Sequence, residues 1–239
     1  MTTPRVVVLD DTEALANHAA RWIAKEACRP LTVSLSGGST PKAAYQRLAG
    51  LAVPWSNLRL FFGDERVVPP DDEGSNFRMV RKALLERVPI PERNVHRIPG
   101  ELDPRDAADR AEAELRQAFP GQDVPVFDIT LLGMGADGHT ASLFPGATEA
   151  GETERLYVPV HRPDLPQPWR VSATLPVINA SRHVVFLVSG PEKADVLRRV
   201  MDGDQTLPSA RVAPSGELTW LVTRDLADAA GVRPTTAGR

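Results

Sequence analysis

Residues 31–48 read LTVSLSGGSTPKAAYQRL: an apolar run, a glycine pair, a hydroxyl pair, then an alanine-rich charged stretch. Leu31, Val33 and Leu35 alternate as a strand with one inward face does, and Pro41 is a favoured first helical residue, so the segment predicts strand, turn and helix. Such a turn aims unpaired N–H groups of the helix start at whatever lies above the strand. Those donors, the positive end of the helix dipole and the Ser39 and Thr40 hydroxyls favour an anion there. An ordinary capped connection has the same form. No Gly-Lys-Ser/Thr follows, so this is not a Walker loop.

Working outward, the same alternation recurs along the chain. Strands are expected at RVVVLD near residue 5, LRLFF from 58, FDITLLG from 127, HVVFLVSG from 183 and LTWLVT from 218. Helices are expected over 12–28, 41–48, 75–87 and 104–119 and after Pro191. Alternating β and α signals predict an α/β fold: a mostly parallel, doubly wound, Rossmann-like sheet with helices on both faces. In the first helix Leu15, Ala19, Trp22, Ile23 and Ala27 form the buried stripe. Residues 146–175 differ, because Pro159, Pro163, Pro166 and Pro168 interrupt any long helix. There YVPV and RVSATLPVI read as antiparallel strands of a smaller β insertion, a candidate flap over the site. The tail after Gly231, VRPTTAGR, reads as frayed.

Composition bounds the answer. A chain of 239 residues, 42% hydrophobic and 25% charged, fits one domain over 1–239. Its 28 basic and 31 acidic side chains leave a net charge of −3, which offers nucleic acid no basic face. Apolar runs fall far short of the ~20 residues of a membrane span, and the start MTTPRVVVLDD lacks a leader pattern, so a cytoplasmic protein with no membrane partner is expected. Cys28 alone excludes an intramolecular disulfide and is expected to be buried and structural.

Two further strand ends carry chemistry. In LRLFFGDERVVP, from residue 58, Asp64, Glu65 and Arg66 lie just beyond the strand; at least one carboxylate can face the crevice, and Arg66 offers a forked donor for oxyanions. A solvated loop ion pair is the plainer reading. Ser75 is the expected cap of the next helix, placing Asn76 and Arg78 in its first turn beside the same crevice. In LLGMGADGHTASLFPG, from residue 131, Gly133, Gly135 and Gly138 match G-x-G-x-x-G in form. Pro145 arrives too soon for the long helix a dinucleotide site needs. A tight turn exposing Asp137 and His139 accounts for them better. A histidine near its reference pKa of about 6.5 can take a proton from water and return it, and Asp137 can orient it; a histidine satisfied by turn backbone is the alternative. Ser142 reads as packing or capping. In SGPEKADVL, from residue 189, Lys193 falls in a first helical turn where it can meet an anion or simply face solvent. His18, His96, His161 and His183 show no ligand spacing, so no metal is called for. No G-x-S-x-G elbow occurs.

Taken in order, SLSGGSTP, GDERVVP with Ser75-Asn76, LLGMGADGHTASLFPG, RVSATLPVIN, SGPEKA and SGELTWLVTRDLA closely resemble the glucosamine-6-phosphate isomerase/6-phosphogluconolactonase superfamily, on its lactonase side, from roughly Arg5 to Ala230. The resemblance implies a cofactor-free hydrolase that opens 6-phospho-D-glucono-1,5-lactone to 6-phospho-D-gluconate, the second step of the oxidative pentose phosphate pathway. It implies His139 as general base, Asp137 beside it, and Asp64 orienting the sugar or the water. Gly37, Gly38, Ser39 and Thr40 would hold the phosphate, with Lys193, Arg66, Arg78 and Arg170 supplying positive charge and Asn76 nearby. The partner implied is a small sugar-phosphate lactone; a monomer or weak homodimer is expected. The isomerase side of the superfamily usually carries Asn-Glu-Pro where this chain has Leu143, Phe144 and Pro145, so the carboxylate that assists ring opening is missing. A sugar-phosphate sensor is the other alternative, but the chain has no stretch left over for a DNA-binding module.

Overall fold

The computed structural model describes residues 4–235. In chain order the elements are β1 (Arg5–Leu9), α1 (Thr12–Glu26), β2 (Leu31–Leu35), α2 (Ser39–Leu48), β3 (Leu58–Phe62), β4 (Asp64–Arg66), α3 (Asn76–Ala83), β5 (Val95–His96) and α4 (Pro104–Ala118). There follow β6 (Ile129–Leu132), β7 (Tyr157–His161), β8 (Trp169–Ala173), α5 (Leu175–Ala180), β9 (His183–Val188), α6 (Ala194–Met201), β10 (Glu217–Thr223) and α7 (Arg224–Ala230).

Seven strands form one sheet in the order β1-β10-β9-β6-β2-β3-β5, and every pairing is parallel. The chain moves outward through β2, β3 and β5, then returns through β6, β9 and β10. Right-handed crossovers place the outbound helices on one face and the returning helices on the other. The sheet is therefore doubly wound. β2 and β6 are neighbours whose onward connections leave in opposite directions, to β3 and β9. The crevice beyond their carboxyl ends is the topological switch point, where open α/β sheets bind ligands.

Burial follows from this layout. Every residue of β6 and five of the six in β9 are buried, as strands covered on both faces require. Phe186 and Trp220, on adjacent strands, stack with ring centroids 3.8 Å apart. In α1, Leu15, Ala19, Ile23 and Ala27 are buried, Trp22 meets His183 edge-on, and Asp11 caps the first turn through Ala14 N–H at 2.8 Å. Cys28 is exposed, contrary to expectation, because it lies past the helix end and about 100° around from the buried Ala27.

A second sheet, β4-β8-β7, is antiparallel. It contains the insertion foreseen from the prolines but recruits Asp64–Arg66, which read as loop, as a third strand. RVSATLPVI is strand only to Ala173. Its LPVI begins α5, with Pro176 in the first turn, where a missing N–H costs nothing. Likewise α2 starts at Ser39 rather than Pro41, which sits in the first turn among N–H groups that have no helical partner. The helix expected over 75–87 passes into a 3₁₀ turn at Leu85–Arg87, and the two-residue β5 was not anticipated.

The tail is held in place as far as Thr235, whose N–H donates to Val6 O at 3.0 Å while its hydroxyl accepts from Val6 N–H at 2.9 Å. Residues 236–239 of that tail, and residues 1–3 of the start read as lacking a leader pattern, lie outside the described residues. No helix among the described residues is long and apolar enough to cross a membrane.

Candidate active site

Three strand ends meet in the switch-point crevice. The first is the glycine turn after β2. Fully buried Tyr45 fixes it from below, donating its hydroxyl to Ser36 O at 2.8 Å and accepting Ser36 N–H at 2.9 Å. Gly38 caps α2 at φ 102°, a conformation that side chains disfavour, and a Cβ on Gly37 would overlap the Asn76 amide. The turn therefore opens with bare backbone toward the crevice, the arrangement that suits an oxyanion. Thr40 Oγ1 lies 2.8 Å from Ser189 Oγ, linking this turn to the end of β9. Lys193 lines the same wall from the 3₁₀ turn Pro191–Lys193, and burial holds its ammonium below the usual lysine range.

The small sheet supplies the second wall. Arg66 and Arg170 are register partners across β4 and β8. Arg66 Nη1 donates to Gly74 O at 2.6 Å, but Nε of each arginine is buried without a hydrogen-bond partner among the described residues. Burial first, and then the Arg66 charge, push the Arg170 guanidinium below its ordinary value. Forked donors of one sign held together in this way complement a phosphate.

Asp64, 6% exposed, accepts Ser142 Oγ–H at 2.7 Å and Asn76 Nδ2–H at 3.3 Å on its carboxylate. Glu65 turns the other way. It takes the N–H groups of Asn76 (2.6 Å), Phe77 (2.7 Å) and Arg66 (2.8 Å) and the Ser75 hydroxyl, so it caps α3. Burial raises its carboxyl despite those donors. Of the two adjacent carboxylates, only Asp64 lines the crevice.

The third element is the turn after β6. Gly135 N–H donates to His139 O at 3.0 Å, Gly138 sits at φ 84°, and a Cβ on Gly135 would overlap the His139 ring. The imidazole thus lies directly over bare backbone. Its Nδ1 is 2.5 Å from Asp137 Oδ1, which also accepts His139 N–H at 3.1 Å. Burial opposes the charged carboxylate, but the hydrogen bond and charge of His139, with the backbone donors, hold Asp137 at about 2. Phe144 packs its ring 4.6 Å from the imidazole and carries the Arg162 guanidinium at 4.1 Å. Ser209 Oγ fastens the turn by donating to Gly138 O at 2.9 Å.

Of the residues singled out in the sequence, Gly37, Gly38, Ser39, Thr40, Asp64, Arg66, Asn76, His139, Arg170 and Lys193 line this one crevice. Asp137 stands behind His139. Arg78 is not brought in; it faces Glu73 at 3.5 Å outside the crevice, because α3 presents its Asn76 side to the site. Ser142, read as packing or capping, is hydrogen-bonded to Asp64. Ser36, Pro41, Gly133 and Gly135 line it too, as do Met134, Ala141 and Leu187, whose residue types carried no mark of it.

A doubly wound sheet whose switch point joins a bare glycine turn, clustered cations and a carboxylate-held histidine defines a polar crevice of the α/β class. The sequence profile of the family described as glucosamine-6-phosphate isomerases/6-phosphogluconolactonase matches residues 10–220, and the chain belongs to this family. It is 38% identical over 231 residues to a 6-phosphogluconolactonase of Synechocystis sp., covering 92% of this chain and 95% of that one. It is 39% identical over 218 residues to a 6-phosphogluconolactonase of Homo sapiens, covering 88% and 84%. The solved structure of 6-phosphogluconolactonase from Trypanosoma cruzi superposes with a TM-score of 0.85 at 33% identity, covering 95% of this chain and 96% of that one.

Proposed function

We propose that this chain hydrolyses 6-phospho-D-glucono-1,5-lactone to 6-phospho-D-gluconate, the second step of the oxidative pentose phosphate pathway. One observation carries the reading: an imidazole held by an ionised carboxylate opens onto the same crevice as a bare-backbone helix start flanked by Arg66, Arg170 and Lys193. The names of the relatives agree with it. So does Phe144, which packs against His139 where the isomerase side of the family would carry a carboxylate.

In this scheme the substrate phosphate takes the N–H groups and hydroxyls of residues 37–40, with Arg66, Arg170 and Lys193 offsetting its charge. Asp64 accepts hydrogen bonds from sugar hydroxyls and so sets the ring in place. Asp137, ionised, can only accept, so His139 carries its proton on Nδ1 and presents the Nε2 lone pair. Nε2 takes a proton from water as the water oxygen bonds to the lactone carbonyl carbon. The resulting oxyanion collapses, the bond to the ring oxygen breaks, and the imidazolium returns its proton to that oxygen. Water is the only co-reactant, and the products are a carboxylic acid, ionised at neutral pH, and a hydroxyl. We infer a cytoplasmic protein acting as one unit over 1–239, alone or as a weak homodimer, on a small phosphorylated lactone.

The test offers the protein freshly generated lactone at slightly acidic pH, where spontaneous opening is slow, and glucosamine 6-phosphate in parallel. Accelerated loss of the lactone with no ammonia from the amino sugar is the expected result. Ammonia release without lactone acceleration would overturn the proposal.

A further inference from the structure

The turn that follows His139 closes through Thr140 and Leu143, whose backbones bond to each other at 2.9 and 3.3 Å. Its first central residue, Ala141, sits at φ 49°. The second, Ser142, is fully buried and is bonded to two other elements at once. Its N–H donates to Ser172 Oγ on β8 at 3.0 Å, and its hydroxyl reaches Asp64 Oδ2 on β4 at 2.7 Å. Ser172 commits its own proton to Ala173 O at 3.0 Å, so its oxygen is free to accept from Ser142. Both serine hydroxyl protons are thereby assigned, and that of Ser142 goes to the carboxylate.

We propose that Ser142 is a positioning residue: its hydroxyl locks the Asp64 carboxylate to the segment that carries His139, fixing the separation between the sugar-orienting acid and the general base. Two residues, Thr140 and Ala141, join Ser142 to His139, and one hydrogen bond joins it to Asp64, so that bond limits how far the two groups can separate. Asn76 completes the lock from the other oxygen, through Nδ2 at 3.3 Å. The side of Asp64 that faces the crevice is left to accept from the ligand. Part of this proposal rests on the lactonase reading; the bond itself does not.

The test compares wild type, Ser142→Ala, Ser142→Cys, Asp64→Asn and the double variant Ser142→Ala/Asp64→Asn. Lactone kcat/KM, the inhibition constant of inorganic phosphate and the melting temperature are measured for each. Loss of a donor to a charged acceptor predicts a fall of about tenfold or more in kcat/KM for Ser142→Ala, with phosphate inhibition unchanged because the anion cradle is untouched. Ser142→Cys fills the same space with a weak donor and is expected to fall similarly, which separates the hydrogen bond from packing. In the Asp64→Asn background the Ser142→Ala change is expected to cost little further, since its target is already altered. Full activity in both serine variants, additive losses in the double variant, or phosphate inhibition weakening in step with turnover would each overturn the proposal. If Ser142→Ala does not fold, Ser142→Cys carries the same comparison. Wild-type protein that fails to accelerate lactone opening overturns the functional reading itself, before any variant is compared.

Discussion

Arg66 and Arg170 are register partners on neighbouring antiparallel strands, and the Nε of each is buried without a hydrogen-bond partner among the described residues. Two like charges held this way cost stability in the free protein and are repaid by an anion. Arg170→Met, which keeps much of the volume and removes the charge, is therefore expected to raise the melting temperature of the free protein by about 2–4 °C while weakening 6-phosphogluconate binding tenfold or more. Calorimetric melting and titration check both signs. A variant that melts lower and binds the product as well as wild type would show that the pair serves the fold and not the ligand.

The Asp137–His139 pair makes a pH prediction. Asp137 titrates at about 2 in the folded protein against a reference of 3.8, so folding favours its ionised form. The sign follows by linkage: the contribution is complete above the unfolded value and is lost as pH falls through the folded one. Asp137→Asn should accordingly flatten the loss of stability between about pH 4 and pH 2, read from denaturant unfolding at each pH. At neutral pH the same variant is expected to lose at least ~10²-fold in lactone turnover, because a neutral amide no longer fixes the proton on Nδ1 or steadies an imidazolium. Equal acid sensitivity in the two proteins would contradict the linkage.

Much of this was legible in the chain. The period-two pattern of Leu31, Val33 and Leu35, followed by Gly37 and Gly38, pointed to the strand and the glycine turn because both depend on local sterics and burial. Asp137 and His139 were legible for the same reason, two residues apart on one glycine turn. Asp64, Glu65 and Arg66 were harder. Their strand pairing with Arg170 arises from residues about a hundred positions away, and only that pairing decides which carboxylate faces the crevice. Ser142 and Glu65 were hidden likewise, since a buried serine bonded to a distant acid has the same residue type as one that merely packs. Arg78 failed because a helix first turn spreads its side chains over the full circle, and Asn76 takes the side that meets Gly37.

Ala141 offers a prediction about stability. It is the one non-glycine residue with positive φ among those described, at 49°, on the turn that carries Ser142. A left-handed conformation costs an alanine roughly 1–2 kcal/mol, partly offset in glycine by the greater entropy lost on folding. Ala141→Gly is expected to stabilise the protein by up to about 1 kcal/mol, or roughly 2–4 °C in melting temperature for a chain of this size. A lower melting temperature would mean that the Ala141 methyl, which lines the crevice, contributes more by packing than its backbone costs.

In the proposed reaction His139 takes the proton from water. The most direct measurement follows the disappearance of 6-phosphogluconolactone, generated in place at slightly acidic pH, with wild type, with His139→Ala and without protein. Acceleration by wild type that falls by about 10²- to 10⁴-fold in the variant, while 6-phosphogluconate binding persists through the untouched arginines and glycine turn, is the predicted result. A variant that opens the lactone as fast as wild type would remove His139 from the chemistry.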